Sequence, residues 1–314
     1  MYTIGTFLIW LGDALRGAGG AVLDVLLRVF SMIDAVLNLV LSPVVAVLNP
    51  VFGCIADIVY GLLSPLPPWL GLTIISAVLG VVMLFAFKYT SNQKAIAAAK
   101  DTIKANLLAL KLFKDEMRVT FVSQWRVLKG VCRLQWHMVK PMLILALPML
   151  LIIGQMGVRY QWRALKPGEA ARISVKFADG ASGAANVTLE PGDGVQVEVD
   201  GVPGGDSVDW RVRGAAPGAH ALQFRIGDTA VEKTLRVGEA FGPVSAERVG
   251  AHWFAQVLHP RESRVSAALP VKSIEIVYPP RDGWYTGADW WILSFFVVSM
   301  LAALVCAPLF KVKF

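Results

Sequence analysis

The chain has few charged residues for its length of 314 residues. Charged side chains make up 17% of it and apolar side chains 55%, and the mean hydropathy is +0.57. A soluble domain usually carries about 25% charged residues. A large part of this chain is therefore expected to lie in lipid rather than in water.

Cysteine and histidine are scarce, and their spacing matches no disulfide framework and no metal site. The three cysteines lie far apart and form no CxxC pair: Cys54, Cys132 and Cys306. The four histidines show no HExxH spacing. No GxSxG, P-loop, GxGxxG or kinase signature occurs either. We therefore predict a protein that is not an enzyme and needs no cofactor or metal.

Three apolar runs are long enough to cross a bilayer, which takes roughly 20 residues. They predict transmembrane helices at residues 69–87, 141–158 and 288–310. The segment 88–140 between the first two has eleven basic and three acidic side chains. By the positive-inside rule this segment and the tail 311–314 face the cytoplasm. The sequence thus predicts a multi-pass α-helical membrane protein with its N-terminus outside, and a composition rich in Ala, Gly, Val and Arg fits a bacterial inner membrane.

Residues 1–68 are apolar but carry a narrow polar stripe. Polar side chains recur every three or four residues, at Asp24, Arg28, Ser31, Asp34, Asn38 and Ser42. Such a helix is expected to lie in the membrane interface with its stripe toward water and headgroups. Prolines are expected to break the remainder into short pieces, at Pro43, Pro50, Pro65, Pro67 and Pro68. The alternative is an additional membrane span that tolerates a few polar residues.

The basic segment 88–140 is predicted to form an antiparallel helical hairpin. It contains no proline and a single glycine, Gly130. One straight helix of this length would run about 75 Å and could not return to the membrane. A turn is therefore expected at Lys114–Arg118, and the second arm is expected to continue through Pro141 into the second span.

Basic side chains of the hairpin are candidates for docking to a partner. They are Lys104, Lys111, Lys114, Arg118, Arg126, Lys129 and Arg133. A basic surface with embedded aromatic residues, here Trp125 and Trp136, suits the phosphate backbone of an RNA-rich particle such as the ribosome. The alternative is contact with anionic headgroups of membrane lipids, worth about 1 kcal/mol per side chain. We expect no DNA partner.

Residues 159–284 are predicted to form an exoplasmic all-β domain. Five segments alternate apolar and polar residues between Gly/Pro/Asp turns: ARISVKF, VQVEVD, VDWRVR, HALQFRI and AVEKTLRV. A further strand is expected within Ala267–Arg281. The regular spacing indicates a small sandwich-like fold.

The stretch Tyr89–Val158 resembles the core of the YidC/Oxa-type insertase superfamily. The shared pattern is a span, a basic helical hairpin rich in Lys, Gln and Met, and a second span, with the closest local match in HMVKPMLILALPMLLI at His137–Ile152. The resemblance implies a protein that binds hydrophobic client segments in an intramembrane groove open to the cytoplasm and helps them into the bilayer. Bacterial members of the superfamily carry an arginine in this groove, whereas the predicted spans contain none.

Two functions follow from these patterns. As an insertase-like factor or chaperone, the chain would engage clients at Gln135, His137, Met138, Met142, Met149 and Gln155, because methionine adapts to irregular apolar partners. As a non-catalytic scaffold or accessory subunit of a bacterial inner-membrane complex, it would bind other subunits through the β domain. Its spans would then pack on neighbours through small residues, namely Ser76, Gly80, Ser299, Ala303 and Ala307.

Overall fold

The structure is a computed structural model that describes residues 20–112, 116–177, 187–227, 229–266 and 268–310. Its helices are α1 (Gly20–Leu62), α2 (Pro68–Thr90), α3 (Gln93–Leu112), α4 (Met117–Tyr160), α5 (Trp253–Leu258) and α6 (Trp291–Cys306). Its strands are β1 (Ala170–Phe177), β2 (Val187–Glu190), β3 (Val195–Gly204), β4 (Ser207–Gly214), β5 (Gly218–Ile226), β6 (Thr229–Val237), β7 (Glu247–Val249) and β8 (Val271–Ile276). Lys114 and the tail 311–314 lie outside the described residues.

Within the described part of the chain, three helices are long and apolar enough to cross a membrane: α1 over Asp24–Leu62, α2, and α4 over Thr120–Tyr160. Helix α6 is apolar as well, but its 16 residues give about 24 Å of helix against a hydrocarbon core of about 30 Å. The prediction of three long apolar helices beside a separate β region is confirmed. The third long helix is α1, however, and not α6 as the sequence predicted. These helices point to membrane association.

The expectation that prolines divide the N-terminal stretch into short pieces is wrong for Pro43 and Pro50. Both lie inside α1, which is continuous for 43 residues. A proline inside a helix removes a backbone hydrogen bond and costs about 3 kcal/mol. Here Ser42 and Asn49, beside the two prolines, each donate a side-chain hydrogen bond to a backbone carbonyl in residues 251–256. These contacts help to hold the helix together across both prolines.

Helices α3 and α4 form the predicted hairpin. Helix α3 ends at Leu112 and α4 begins at Met117. Lys114 and Asp115 of the expected turn lie outside the described residues. The arms meet closely, since a Cβ at Gly130 would lie 2.9 Å from Cγ1 of Ile103. Helix α4 then continues through Pro141 as expected.

Helices α2 and α6 pack against each other through small residues. A Cβ at Gly80 would collide with the backbone of Ser299, and Ser76 and Ser299 are both buried. Toward the other end of α2, Leu84 packs with Ala307. The small residues considered above as contacts for partner proteins are therefore used inside the chain.

The strands form two antiparallel sheets that share one core. The sheet orders are β3-β4-β1-β8-β7 and β2-β5-β6. Ile173, Trp210 and Phe224, from both sheets, belong to one buried cluster, and the rings of Trp210 and Phe224 lie 5.7 Å apart. The five predicted strands and the strand within 267–281 are confirmed. The elements that the sequence did not indicate are β2, β7 and α5, which are too short to show a period.

Helix α4 passes into the β region through a short connection tied at several points. Trp162 bridges to Pro280 in the lead to α6. Arg163 forms a two-pronged ion pair with Glu169 at 2.8 and 2.9 Å. The Arg163 hydrogen bonds hold the pKa of the Glu169 carboxyl below its ordinary value.

Replacing Gly80 by alanine should destabilise the chain, because the new methyl group would meet the backbone of α6. Overpacking of this kind costs about 1–3 kcal/mol. The matched control is Gly61→Ala in α1, where no atom lies within 4 Å of the added Cβ. Thermal unfolding in detergent micelles, followed by circular dichroism, measures both variants. Equal melting temperatures would contradict the close packing of α2 and α6.

Candidate functional site

Helix α4 carries most of the predicted functional residues, and one of its faces is basic. At 3.6 residues per turn, four exposed basic side chains fall within about 80° of arc: Arg118, Arg126, Lys129 and Arg133. Trp125 and Trp136 lie beside them, with 68% and 74% of their surface exposed. The structure therefore brings these basic and aromatic side chains together. Lys104 and Lys111 are exposed on α3.

Four of the six predicted groove residues share the opposite face of α4. We call this the methionine face; its members are Gln135, Met138, Met142 and Met149. They fall within about 60° of arc, on the side of the helix away from the basic residues. His137 and Gln155 lie about 130° round the helix from this face.

The methionine face meets α2 at one end only. Met149 and Met156 belong to an apolar cluster with Leu72 of α2. Nearer the hairpin, Met142 is 70% exposed. The cluster around Leu84, at the other end of α2, contains residues of α2, of α6 and of the turn after α6. Toward the hairpin from Met149, helix α4 therefore separates from α2 and α6. Its methionine face is exposed there at Gln135 and Met142, while Met138 is half-buried.

Gln155 is buried in a contact with α1. Its side chain is 3% exposed, and its amide nitrogen donates to the carbonyl of Asn49 at 3.4 Å. The amide also lies against Gly53, whose added Cβ would be 3.5 Å from Nε2. Gln155 is thus separate from the methionine face. His137 is half-buried.

Helix α5 is wedged between α1 and α4. Val257 of α5, Leu151 of α4 and Val45 of α1 form one buried cluster. A Cβ at Gly154 would collide with the backbone carbonyl of Val257, so only glycine permits this approach. Leu151 and Gly154 belong to the apolar part of α4. The segment after β7 therefore enters the space between two apolar helices.

The same segment covers part of the polar stripe of α1. The side-chain oxygen of Asn38 accepts a hydrogen bond from the backbone N–H of Trp253 at 2.8 Å. Ser42 donates to the carbonyl of Ala251 at 2.8 Å. Asn49 donates to the carbonyl of Gln256 at 2.9 Å. The expectation that this stripe faces water and headgroups is wrong for Asn38 and Ser42. Their side chains supply hydrogen bonds that the inserted backbone needs in an apolar setting.

Asp57 of α1 binds two arginines. Arg159 of α4 donates from Nη2 to Oδ1 at 2.5 Å, and Arg261 donates from Nη1 to Oδ2 at 2.8 Å and from Nη2 to Oδ1. Arg159 is 1% exposed, and its guanidinium lies 4.3 Å from the ring centroid of Tyr60. Helix α4 thus contains an arginine just beyond the predicted span 141–158. This arginine is paired with Asp57, and it lies about 90° around the helix from the methionine face.

A periodic signal for this contact is present in the sequence. Asn49 and Asp57 continue the stripe of Asp34, Asn38 and Ser42, at further spacings of seven and eight residues that keep them on one helix face. The prolines between them indicate helix breaks and hide the continuation. Arg159 carries no comparable signal, because a basic residue after an apolar run is common.

Glu262 ties this segment to the β region. Lys233 donates to Oε1 of Glu262 at 2.7 Å and to the carbonyl of Ser245 at 2.8 Å. Burial lowers the pKa of the Lys233 ammonium, and Glu262 partly offsets this effect.

Burial also lowers the pKa of His259, whose imidazole lies 3.4 Å from the carboxylate of Glu247. The lowered pKa favours the neutral form of His259.

The described ranges contain no group of three or more His, Cys, Asp or Glu side chains that could hold a metal ion. Their arrangement offers three binding features: the basic face, the uncovered methionine face and a cleft beside α1.

No protein-family model and no curated protein matches the chain. Among solved structures, the crystal structure of domains 4 and 5 of the S-layer protein SbsC is similar over 24% of this chain and 46% of its own, with 19% identity and a TM-score of 0.19. The crystal structure of the S-layer protein rSbsC(31-844) is similar over 28% of this chain and 13% of its own, with 23% identity and a TM-score of 0.21. The chain thus spans less than half of either structure, and neither fold nor function is carried over.

Replacing Asp57 by alanine should destabilise the chain, because Arg159 would stay buried without its carboxylate. Breaking a buried ion pair costs about 3–5 kcal/mol. Since Asp57 is half exposed, we expect about 1–3 kcal/mol after solvent screening.

The matched control is Glu190→Ala, which removes an exposed pair with Arg225 and should cost less than about 1 kcal/mol. Unfolding in micelles compares the two variants. Equal losses would mean that Asp57 does not join α1 to α4.

Proposed function

We propose that this protein is an insertase-like membrane factor that binds hydrophobic helical segments of other membrane proteins. One observation carries the proposal. Helix α4 packs on α2 between Met149 and its C-terminal end. Nearer the hairpin, Met142 on the same face of α4 is 70% exposed. A client helix would lie on this uncovered methionine face, beside α2 and α6.

The chemistry of this face fits a varied set of clients. Methionine side chains are flexible and polarisable, so they adapt to different apolar surfaces. Gln135 on the same face adds a hydrogen-bonding group. A charged client group costs about 2.5–3.5 kcal/mol at the centre of a bilayer, and a polar group near the entrance would lower this barrier. The proposal requires no cofactor and no bond chemistry.

The basic face of α4 is the reason why this proposal places the hairpin in the cytoplasm. Basic connections between spans lie on the cytoplasmic side, so the β region would be exoplasmic in a bacterial inner membrane. Exposed Trp125 and Trp136 among basic side chains suit stacking and phosphate contact with an RNA-rich particle that delivers clients.

A scaffold subunit is the second candidate, and the burial of Gln155 favours it. Its amide packs against Gly53 of α1, so no open groove reaches it from the hairpin side in this arrangement. The apolar side of α1 is also exposed, for example at Val47 and Val51, and a neighbouring subunit would cover it.

A photo-reactive amino acid at Met142 should capture many different membrane-protein segments in living cells. The matched control is the same amino acid at Met300 of α6, a methionine that is 57% exposed but lies off the methionine face. It should capture few proteins. One or two partners in fixed stoichiometry from Met142 would favour the scaffold, and equal capture from both positions would contradict a client site.

Reversing three charges of the basic face should abolish salt-sensitive co-sedimentation with ribosomes. The variant is Arg126→Glu, Lys129→Glu and Arg133→Glu, and each lost phosphate contact should lower the salt slope by roughly 0.7–0.9. The control reverses three exposed basic residues of the β region, Arg172, Arg225 and Lys272. If the first variant still co-sedimented with ribosomes, contact with anionic lipid headgroups would remain as the role of the basic face.

A further inference from the structure

A cleft of about 870 Å³ lies between α1 and the segment after β7. One wall is a stripe of α1 at intervals of four residues, formed by Ala46, Pro50, Cys54 and Ile58. The other wall is polar and contains Arg261, Glu262 and Arg264. The cleft therefore has an apolar stripe on one side and a polar wall with charges of both signs on the other.

The charged residues of the lining itself balance one another, two carboxylates against two guanidinium groups. The positive excess beside the cleft comes from Arg159 and Lys233, which are buried behind this lining. The carboxylate of Asp57 serves two guanidinium groups, those of Arg159 and Arg261. Glu262 is paired with the buried Lys233. Arg264 adds an exposed positive charge on the lining. A ligand that carries negative charge would balance this excess.

Three buried polar atoms of the lining residues have no hydrogen-bond partner among the described residues. They are the donor Nε of Arg261 and two acceptors, Oδ1 of Asn49 and Oε2 of Glu262, and Asn49 is 8% exposed. A buried polar atom without a partner is costly, so such atoms usually meet water or a ligand. The cleft thus offers one donor and two acceptors, which suits a headgroup that carries hydrogen-bond donors, such as hydroxyl groups, as well as a phosphate.

We propose that this cleft binds the headgroup of a glycerophospholipid. Phosphate oxygens would accept hydrogen bonds from Nε of Arg261 and from Arg264, since arginine matches phosphate geometry. A hydroxyl or ammonium group of the headgroup would donate to Oδ1 of Asn49. The acyl chains would lie along the exposed apolar side of α1, where Val51 and Ile55 are 50% and 54% exposed.

The apolar wall decides between a lipid and a free phosphate ion. A free ion would gain nothing from Pro50, Ile58 and the neighbouring apolar surface, whereas each buried CH₂ of an acyl chain contributes about 0.8 kcal/mol. The site is independent of the proposed client face, because it lies on α1 and the β region and not on the methionine face of α4.

Native mass spectrometry of the full-length chain, delipidated in micelles and titrated with phosphatidylglycerol, tests this site. Arg264→Gln removes an exposed side chain and should weaken phosphatidylglycerol binding at least about tenfold. Arg261→Lys keeps the charge next to Asp57 but removes Nε, and should weaken it as well. Arg225→Gln, an exposed arginine on β5 away from the cleft, is the control and should bind as the unaltered chain does.

A second arm adds inorganic phosphate as a competitor. Phosphatidylglycerol that stays bound in excess phosphate supports a lipid site. Displacement by phosphate alone would overturn the lipid assignment in favour of a free-anion site. Equal binding by the unaltered chain, Arg264→Gln and Arg261→Lys, with unchanged melting temperatures, would overturn the site altogether.

Discussion

The carboxylate of Asp57 connects three parts of the chain that are far apart in sequence. It pairs with Arg159 near the end of α4 and with Arg261 in the segment after β7. Arg159 is buried, and a buried guanidinium without a carboxylate would be strongly unfavourable. This one side chain therefore stabilises the position of α1 against α4 and against the segment after β7. The hydrogen bonds of Asn38, Ser42 and Asn49 to that segment act in the same direction. Tyr60, against the Arg159 guanidinium, adds a cation–π contact at the same point.

The inserted segment 249–264 explains how a helix with so many polar residues can remain apolar outside. Asn38, Ser42 and Asn49 bond to its backbone, so from Asn38 onward the polar side of α1 is turned inward and the apolar side outward. The stripe residues before Asp34 stay exposed. The insertion in turn needs Gly154, because a side chain there would collide with Val257. The end of α4 that carries Gln155 and Arg159 is occupied by this internal contact, while the methionine face toward the hairpin stays uncovered. The structural and the proposed binding parts of α4 are thus separated along one helix.

Local patterns predicted six of the eight described strands and the two helical arms of the hairpin, since each has a period that is visible within about ten residues. The continuity of α1 was not predictable in this way. It depends on partners such as Asn38 and Trp253, which are 215 residues apart, and the two internal prolines argue locally for a break. The candidate site was predicted in part: the basic residues and methionines lie on shared faces, as helical spacing requires. Arg159 and Arg261 were missed, because their roles come only from the tertiary contact with Asp57.

Crosslinking in native membranes shows whether segment 249–264 lies against the polar side of α1. Asp34→Cys and His252→Cys would be combined in a chain whose own cysteines are replaced by serine, then treated with a short bismaleimide and analysed by mass spectrometry. The side chains of Asp34 and His252 are 3.2 Å apart, so we expect efficient crosslinking of this pair. Asp24→Cys with His252→Cys, about 15 Å further along α1, should not react. No crosslink between positions 34 and 252, in a chain that folds and inserts normally, would mean that the segment does not lie on α1.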